Sequence, residues 1–141
     1  MLGWAAGWRS SELDARLLRD PAVAVYIEGW GRPGDAGVIA EDEDGVPLGA
    51  AWYRRFTQAE HGYGFLAPEV PELTVAVAPQ NRGRGVGTTL LEALVERAEA
   101  EGALALSLSV EDDNPALRLY ERLRFERVGR AGTAWTMRRD L

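Results

Sequence analysis

Residues 78–89 read APQNRGRGVGTT. Gly83, Gly85 and Gly87 alternate here with Arg84 and Val86, directly after Arg82, and the stretch joins two segments of different periodicity. Upstream, ELTVAVA at 72–78 alternates β-forming residues and ends at Pro79, as a buried strand would. Downstream, Val86, Leu90, Leu91, Leu94, Val95 and Ala98 recur at helical spacing until about Gly102. Glycines between a strand and a helix let several successive amides point at one cluster of oxygens, because no Cβ stands in the way. The positive end of the helix adds to their field, and Arg82 and Arg84 add full charge without a metal. The segment therefore reads as an anion cradle. The plainer alternative is a glycine-rich turn carrying two exposed arginines.

Two familiar phosphate loops fail on particular residues. A nucleoside-triphosphate loop needs glycine, lysine and then a hydroxyl residue, so that lysine reaches the β/γ-phosphates; here Gly87 is followed directly by Thr88. A dinucleotide fingerprint counted from Gly83 and Gly85 needs glycine or alanine where Thr88 stands, and the acidic residue expected on the next strand is not evident. A pyrophosphate held by backbone amides, such as that of coenzyme A, suits the residues present.

The chain has 141 residues, 46% of them hydrophobic and 27% charged, which fits one globular domain over 1–141. A net charge of −6 argues against a nucleic-acid partner, which would call for a basic stripe. The absence of cysteine excludes a disulfide framework, a thiolate metal site and a cysteine nucleophile. His61, in AEHGYGF, is the one histidine, so neither a zinc site nor a Ser-His-Asp triad is supported; it reads as a loop residue, and no metal is expected. No apolar run is long enough to span a bilayer, and MLGWAAGWRSS lacks the basic region of a secretory signal. No membrane partner is expected, and the cytoplasm is the default location.

Outside the glycine loop, SSELDARLLRD and PAVAVYIEGW read as two helices, followed by a loop at WGRPGDAG. VIAEDEDGVPLGAAWYRRF reads as a β-hairpin with a solvated acidic tip, and TQAEHGYGFLAPEVP as a loop unusually long for a compact domain. ALALSLSV is a further strand, Asn114-Pro115 starts a helix running to about Arg124, and FERVG and TAWTMRR close the chain as strands. The order implies an α/β (α+β) fold built on a mixed sheet, with a crossover helix after the 72–78 strand.

LTVAVAPQNRGRGVGTTLLEAL resembles motif A of the GNAT superfamily of N-acetyltransferases, with Arg82, Gly85 and Gly87 on its Arg/Gln-x-x-Gly-x-Gly/Ala core. SLSVEDDNPALRLYERLRF, following at the expected spacing, resembles motif B, with its asparagine, its Leu-Tyr pair and its closing phenylalanine. The two cover residues 72–125. One departure is Arg124, where family members commonly carry glycine. The family fold normally begins with a β-strand before the first helix, and this chain lacks an obvious one. Either the start is trimmed, Met1 is internal, or a partner covers the sheet edge; an exposed edge invites pairing, so a homodimer is expected.

The resemblance implies acetyl transfer from acetyl-CoA to a primary amine of a small molecule or peptide. It puts the pantetheine arm along Val75, Ala76 and Val77, and the pyrophosphate on the amides of Arg82, Gly83, Arg84, Gly85, Val86, Gly87 and Thr88. Asn114 would touch the cofactor arm, cap its own helix, or do both. Tyr120 matches the family's tyrosine and would act as general acid at the sulfur; otherwise it is a core tyrosine sharing a face with Leu117 and Leu123. Glu72 is the candidate base, or else a solvated glutamate after Pro71, and Glu111 and Asp112 are weaker candidates. Without cysteine, the amine is expected to attack the thioester directly in a ternary complex. The competing class is a GNAT-fold module that binds acyl-CoA without turnover.

Overall fold

The computed structural model describes Tyr26 and residues 30–141. The two helices expected ahead of residue 30, and the question of a strand before them, lie outside the described residues except for Tyr26, which sits in a turn. The strands are β1 (Ala36–Glu41), β2 (Pro47–Arg54), β3 (Glu72–Val77), β4 (Ala105–Glu111), β5 (Glu126–Ala131) and β6 (Ala134–Asp140). Among the described residues the α-helices are α1 (Val86–Ala100) and α2 (Ala116–Arg122). Among the described residues the six strands form one sheet in the order β1-β2-β3-β4-β6-β5.

The hairpin at the acidic turn forms as its composition implies. Asp42 Oδ1 accepts from the Asp44 and Val46 amides at 2.8 and 2.9 Å, a side-chain turn that needs no cation. β2 then pairs antiparallel with β3 from Gly49↔Val77 to Arg54↔Glu72. Gly49 is required by this approach, since a Cβ there would stand 2.7 Å from the Ala76 carbonyl oxygen.

α1 crosses from β3 to the parallel strand β4 and lays Leu90, Leu91, Leu94, Val95 and Ala98 against β1, β2 and β3. These are the apolar positions of the helical repeat, and they meet Tyr53, Leu73, Leu106, Leu108 and Met137 in a single core. Each buried leucine contributes about 1.5–3 kcal/mol by leaving water. Alternation along the strands sends Arg54, Glu72, Ser107 and Arg138, which face one another across four strands, to the opposite side of the sheet.

Asn114 Oδ1 accepts from the Ala116 amide at 2.9 Å, the capping role its position before Pro115 suggests. α2 ends at Arg122, two residues before the expected point, because Arg124 turns left-handed at φ 71°. The Phe125 and Arg124 amides fold back to the Tyr120 and Glu121 carbonyls at 3.0 and 3.1 Å. That closure normally uses glycine, so the arginine carries backbone strain.

Candidate functional site

The feature that organises the site is a failure of pairing. β3 and β4 run parallel side by side, yet they share register only at Glu72↔Ser107, with the Ser107 amide donating to the Pro71 carbonyl at 3.0 Å. Beyond that pair the strands splay. Backbone polar groups of β3 from Leu73 to Val77 on that side therefore have no partner strand, and the opening between the strands is lined by hydrogen-bonding groups. Val75 and Val77 are half-buried and Ala76 is buried along this edge.

The glycine loop lies at the open end. A short 3₁₀ turn at Pro79–Asn81 leads into it, and Gly83 and Gly85 adopt φ of 78° and 80°. A Cβ on either would meet nothing within 4 Å, so the backbone conformation demands glycine there, while the space beside it is open. The first amide of α1 with a helical partner is that of Thr89, which donates to Gly85 O at 3.1 Å. Among the described residues the amides from Gly83 to Thr88 find no acceptor, and Arg82 and Arg84 are exposed around them. A run of unsatisfied donors at the positive end of a fifteen-residue helix fits a pyrophosphate. Gly87 has a different reason: a Cβ would stand 3.1 Å from Leu119 Cδ2, so its small size lets α1 and α2 approach.

Tyr120 projects from α2 into the core, edge-on to Phe125 at 6.0 Å between ring centroids. Burial pushes its phenol above the ordinary tyrosine range, and among the described residues its hydroxyl has no hydrogen-bond partner. It is thus a core tyrosine with a protonated, uncommitted hydroxyl.

Glu72 is 1% exposed, and so is not the solvated glutamate its position after Pro71 allowed. Its Oε2 accepts from the Tyr26 hydroxyl at 2.6 Å and from the Gly64 amide at 3.0 Å. Oε1, like Ser107 Oγ beside it, has no partner among the described residues. Burial raises the carboxyl above its usual range, although Tyr26, the Gly64 amide, nearby His61 and the Gly62 amide all favour the charged form. Burial likewise pushes the Tyr26 phenol up, reinforced by the charge of Glu72. The weaker candidates are engaged elsewhere. Glu111 accepts from Thr133 Oγ1 at 2.6 Å, and Asp112 pairs with Arg130 at 2.5 Å.

The long 57–71 loop closes over this end of the sheet. Gly64 lies directly on β4, where a Cβ would stand 2.5 Å from Leu108 C and 2.7 Å from Ser109 N. Of the aromatics around the acceptor side, Trp52 and Tyr53 are core residues, whereas Trp30 and Tyr63 are exposed. Tyr26 and Ser107 belong to the site without any mark in the sequence. The paired glycines of HGYGF, however, signal a backbone that must come close to something. Among the described residues no cluster of three metal-ligating side chains forms, and no helix is long and apolar enough to cross a membrane.

The profile of the acetyltransferase (GNAT) family matches residues 4–125. The chain is 32% identical over 113 residues to an L-2,4-diaminobutyric acid acetyltransferase of Nocardia farcinica, covering 77% of this chain and 52% of that protein. It is 36% identical over 106 residues to an L-methionine sulfoximine/L-methionine sulfone acetyltransferase of Pseudomonas aeruginosa, covering 74% and 59% respectively. The chain thus spans between half and three-fifths of the length of these curated relatives. Among solved structures, a GCN5-related N-acetyltransferase from Kribbella flavida superposes with a TM-score of 0.70 at 25% identity, over 91% of this chain and 77% of that one. A phosphinothricin acetyltransferase from Sinorhizobium meliloti in complex with AcCoA superposes with a TM-score of 0.64 at 25% identity, over 94% and 70%. Both motifs lie inside the matched region, and the chain belongs to the acetyltransferase (GNAT) family.

Proposed function

We propose that the chain transfers the acetyl group of acetyl-CoA to the primary amine of a small molecule, by direct attack of the amine in a ternary complex. The observation that carries this reading is the splay of β3 from β4 at Glu72–Ser107, with a glycine loop of unsatisfied amides at its open end. The amides from Gly83 to Thr88 hold the pyrophosphate, beside the Arg82 and Arg84 side chains, since the Arg82 amide is spent on the Pro79 carbonyl; the free edge of β3 at Val75, Ala76 and Val77 takes the pantetheine amides. Asn114 uses its carbonyl oxygen on α2 and has its carboxamide nitrogen left for the cofactor arm.

The overall reaction converts an ammonium group and a thioester to an amide and a thiol, releasing one proton. An aliphatic ammonium with a pKa of about 10.4 must lose that proton before the nitrogen lone pair can attack the acetyl carbon. Glu72 Oε1 is proposed as its acceptor, reached through a bridging water because the carboxyl is enclosed. Collapse of the tetrahedral intermediate breaks the C–S bond. Tyr120 then donates its hydroxyl hydrogen bond to the departing sulfur, whose thiol pKa is about 8.5. With its own pKa raised, full transfer from the phenol to the thiolate is uphill. Tyr120 therefore hydrogen-bonds the sulfur and gives it a proton only as it takes up the second proton of the attacking nitrogen, so that the phenol ends neutral and the thiol is formed.

The names of the relatives, which include acetyltransferases of diaminobutyric acid and of methionine sulfoximine, support an amino-acid-like acceptor. The test is release of free CoA thiol from acetyl-CoA across a panel of amino-acid and peptide amines. Turnover with members of the panel is expected. Acetyl-CoA binding without turnover on any amine would instead favour a sensing module.

A further inference from the structure

The carboxylate of Glu72 is one corner of a closed hydrogen-bond circuit. Tyr26 donates its hydroxyl to Glu72 Oε2 at 2.6 Å, and the oxygen of that hydroxyl accepts from the Tyr63 amide at 2.8 Å. The next amide, that of Gly64, donates to the same Glu72 oxygen at 3.0 Å. Tyr26 is itself held at both ends: its carbonyl accepts from the Trp52 indole at 3.1 Å, and its ring meets Phe56 edge-on at 5.9 Å. Gly62 has to be glycine, because a Cβ would collide with the Tyr26 hydroxyl and stand 2.7 Å from Glu72 Oε1. Since Gly64 also lies on the Leu108–Ser109 backbone, the circuit fastens the 62–64 backbone across both strands that flank the opening.

We propose that Tyr26 is a positioning residue of the transfer site: through Glu72 it clamps residues 62–64 as a fixed wall beside the β3/β4 opening and leaves Glu72 Oε1 as the one carboxylate oxygen available to take up a proton. The inference rests on the acetyl-transfer reading. The clamp is a chemical device as well as a brace, because both hydrogen bonds to Oε2 favour the ionised carboxyl. His61 and the Gly62 amide also favour the charged form, but less than Tyr26 and the Gly64 amide, and neither makes a hydrogen bond of good geometry to the carboxylate. His61, from the same loop, has Nδ1 at 2.8 Å from the Gly62 carbonyl and stacks on Phe65. Arg54, the cross-strand neighbour on β2, is held by Asp35 in a two-point ion pair. Ser107 on β4 is neutral, and the Tyr63 phenol is exposed.

Removing the Tyr26 hydroxyl takes a donor from the charged form, so the carboxyl must become harder to ionise. As an acceptor of protons Glu72 works only when ionised. The acid limb of kcat/KM for the amine should therefore move to higher pH in Tyr26→Phe, and kcat/KM at neutral pH should fall by about 10- to 100-fold. The acetyl-CoA-induced rise in Tm should persist. Glu72→Gln keeps the acceptor for Tyr26 and Gly64 but cannot titrate, so adding Tyr26→Phe to it should produce no further shift of the pH profile. Amide hydrogen exchange read in the same proteins without turnover should quicken at Tyr63 and Gly64 in Tyr26→Phe. An unchanged pH profile with only a lower Tm would reduce Tyr26 to a structural role and overturn the proposal, as would unchanged exchange at both amides. Wild-type protein with no turnover on any amine, but faster exchange in the variant, would overturn the catalytic part and the acetyl-transfer reading together while leaving the clamp standing.

Discussion

Glu72 on β3 and Ser107 on β4 face each other at the single point of register between these strands, both buried, each with a side-chain oxygen that has no partner among the described residues. Two orphan oxygens at the vertex of a splayed pair are costly to bury. For Glu72 the cost depends on pH. Its folded pKa lies above the unfolded value of about 4.3, so its contribution to stability is fully present below that pH and lost as pH rises through the folded value. Glu72→Gln should therefore gain stability relative to wild type as pH climbs from about 4 towards neutrality. Urea midpoints measured over that range would reveal it, and a difference independent of pH would mean that Glu72 does not titrate there.

Tyr120→Phe removes a hydroxyl with no described partner and keeps the ring against Phe125, so Tm should barely change. If the hydroxyl serves the leaving sulfur, kcat should drop by about 10²- to 10⁴-fold. Single-turnover release of CoA thiol is the measurement, and an unaltered rate would leave Tyr120 a core residue.

Valine at Gly85 must adopt φ near 80°, at a cost of about 1–2 kcal/mol, and its side chain would crowd the amides of the loop. Acetyl-CoA at 100 times its Kd should add about 2.7 kcal/mol to wild-type stability, and this gain should vanish in Gly85→Val. Gly45→Val provides the control. It sits at the hairpin tip with φ 81° and open surroundings, so it should pay similar strain yet keep the acetyl-CoA response.

Asp35 and Arg54 form a buried, two-point ion pair at 2.9 and 2.6 Å, supported by the Gly31 and Arg32 amides. Burial alone would raise the Asp35 pKa, but Arg54 and the two amides outweigh it and hold the carboxyl low. Its contribution is therefore present above the unfolded value of about 3.9 and lost as pH falls through the folded one. Asp35→Ala removes the buried carboxylate that meets the Arg54 guanidinium at two points and should cost about 3–5 kcal/mol at pH 7, read by chemical denaturation. A joint replacement of both residues by apolar ones should cost less.

At the end of α2, Arg124→Gly should relieve the left-handed strain and stabilise the protein by about 1 kcal/mol, visible as a higher Tm. A loss of stability would mean that the arginine side chain makes up for its backbone.

Much of the frame was legible because it rests on local rules. The 3.6-residue repeat of Val86 to Ala98 gave α1 and its buried face, and the acidic turn gave the hairpin. Asn114-Pro115 marked the start of α2, and the alternation of Gly83 and Gly85 marked a left-handed backbone before a helix. The end of α2 was misjudged by two residues, since nothing local to Arg124 announces that an arginine will take a glycine's conformation.

By itself the sequence determined the elements from the hairpin onward, the left-handed glycine turn ahead of α1 and the absence of cysteine, because periodicity, backbone freedom and side-chain chemistry are properties of neighbours along the chain. Only the tertiary structure decided what Glu72 is. Its burial, its hydrogen bond from Tyr26 at a separation of 46 residues, and its place opposite Ser107 depend on strand register and loop closure, which bring together residues that share no local signal.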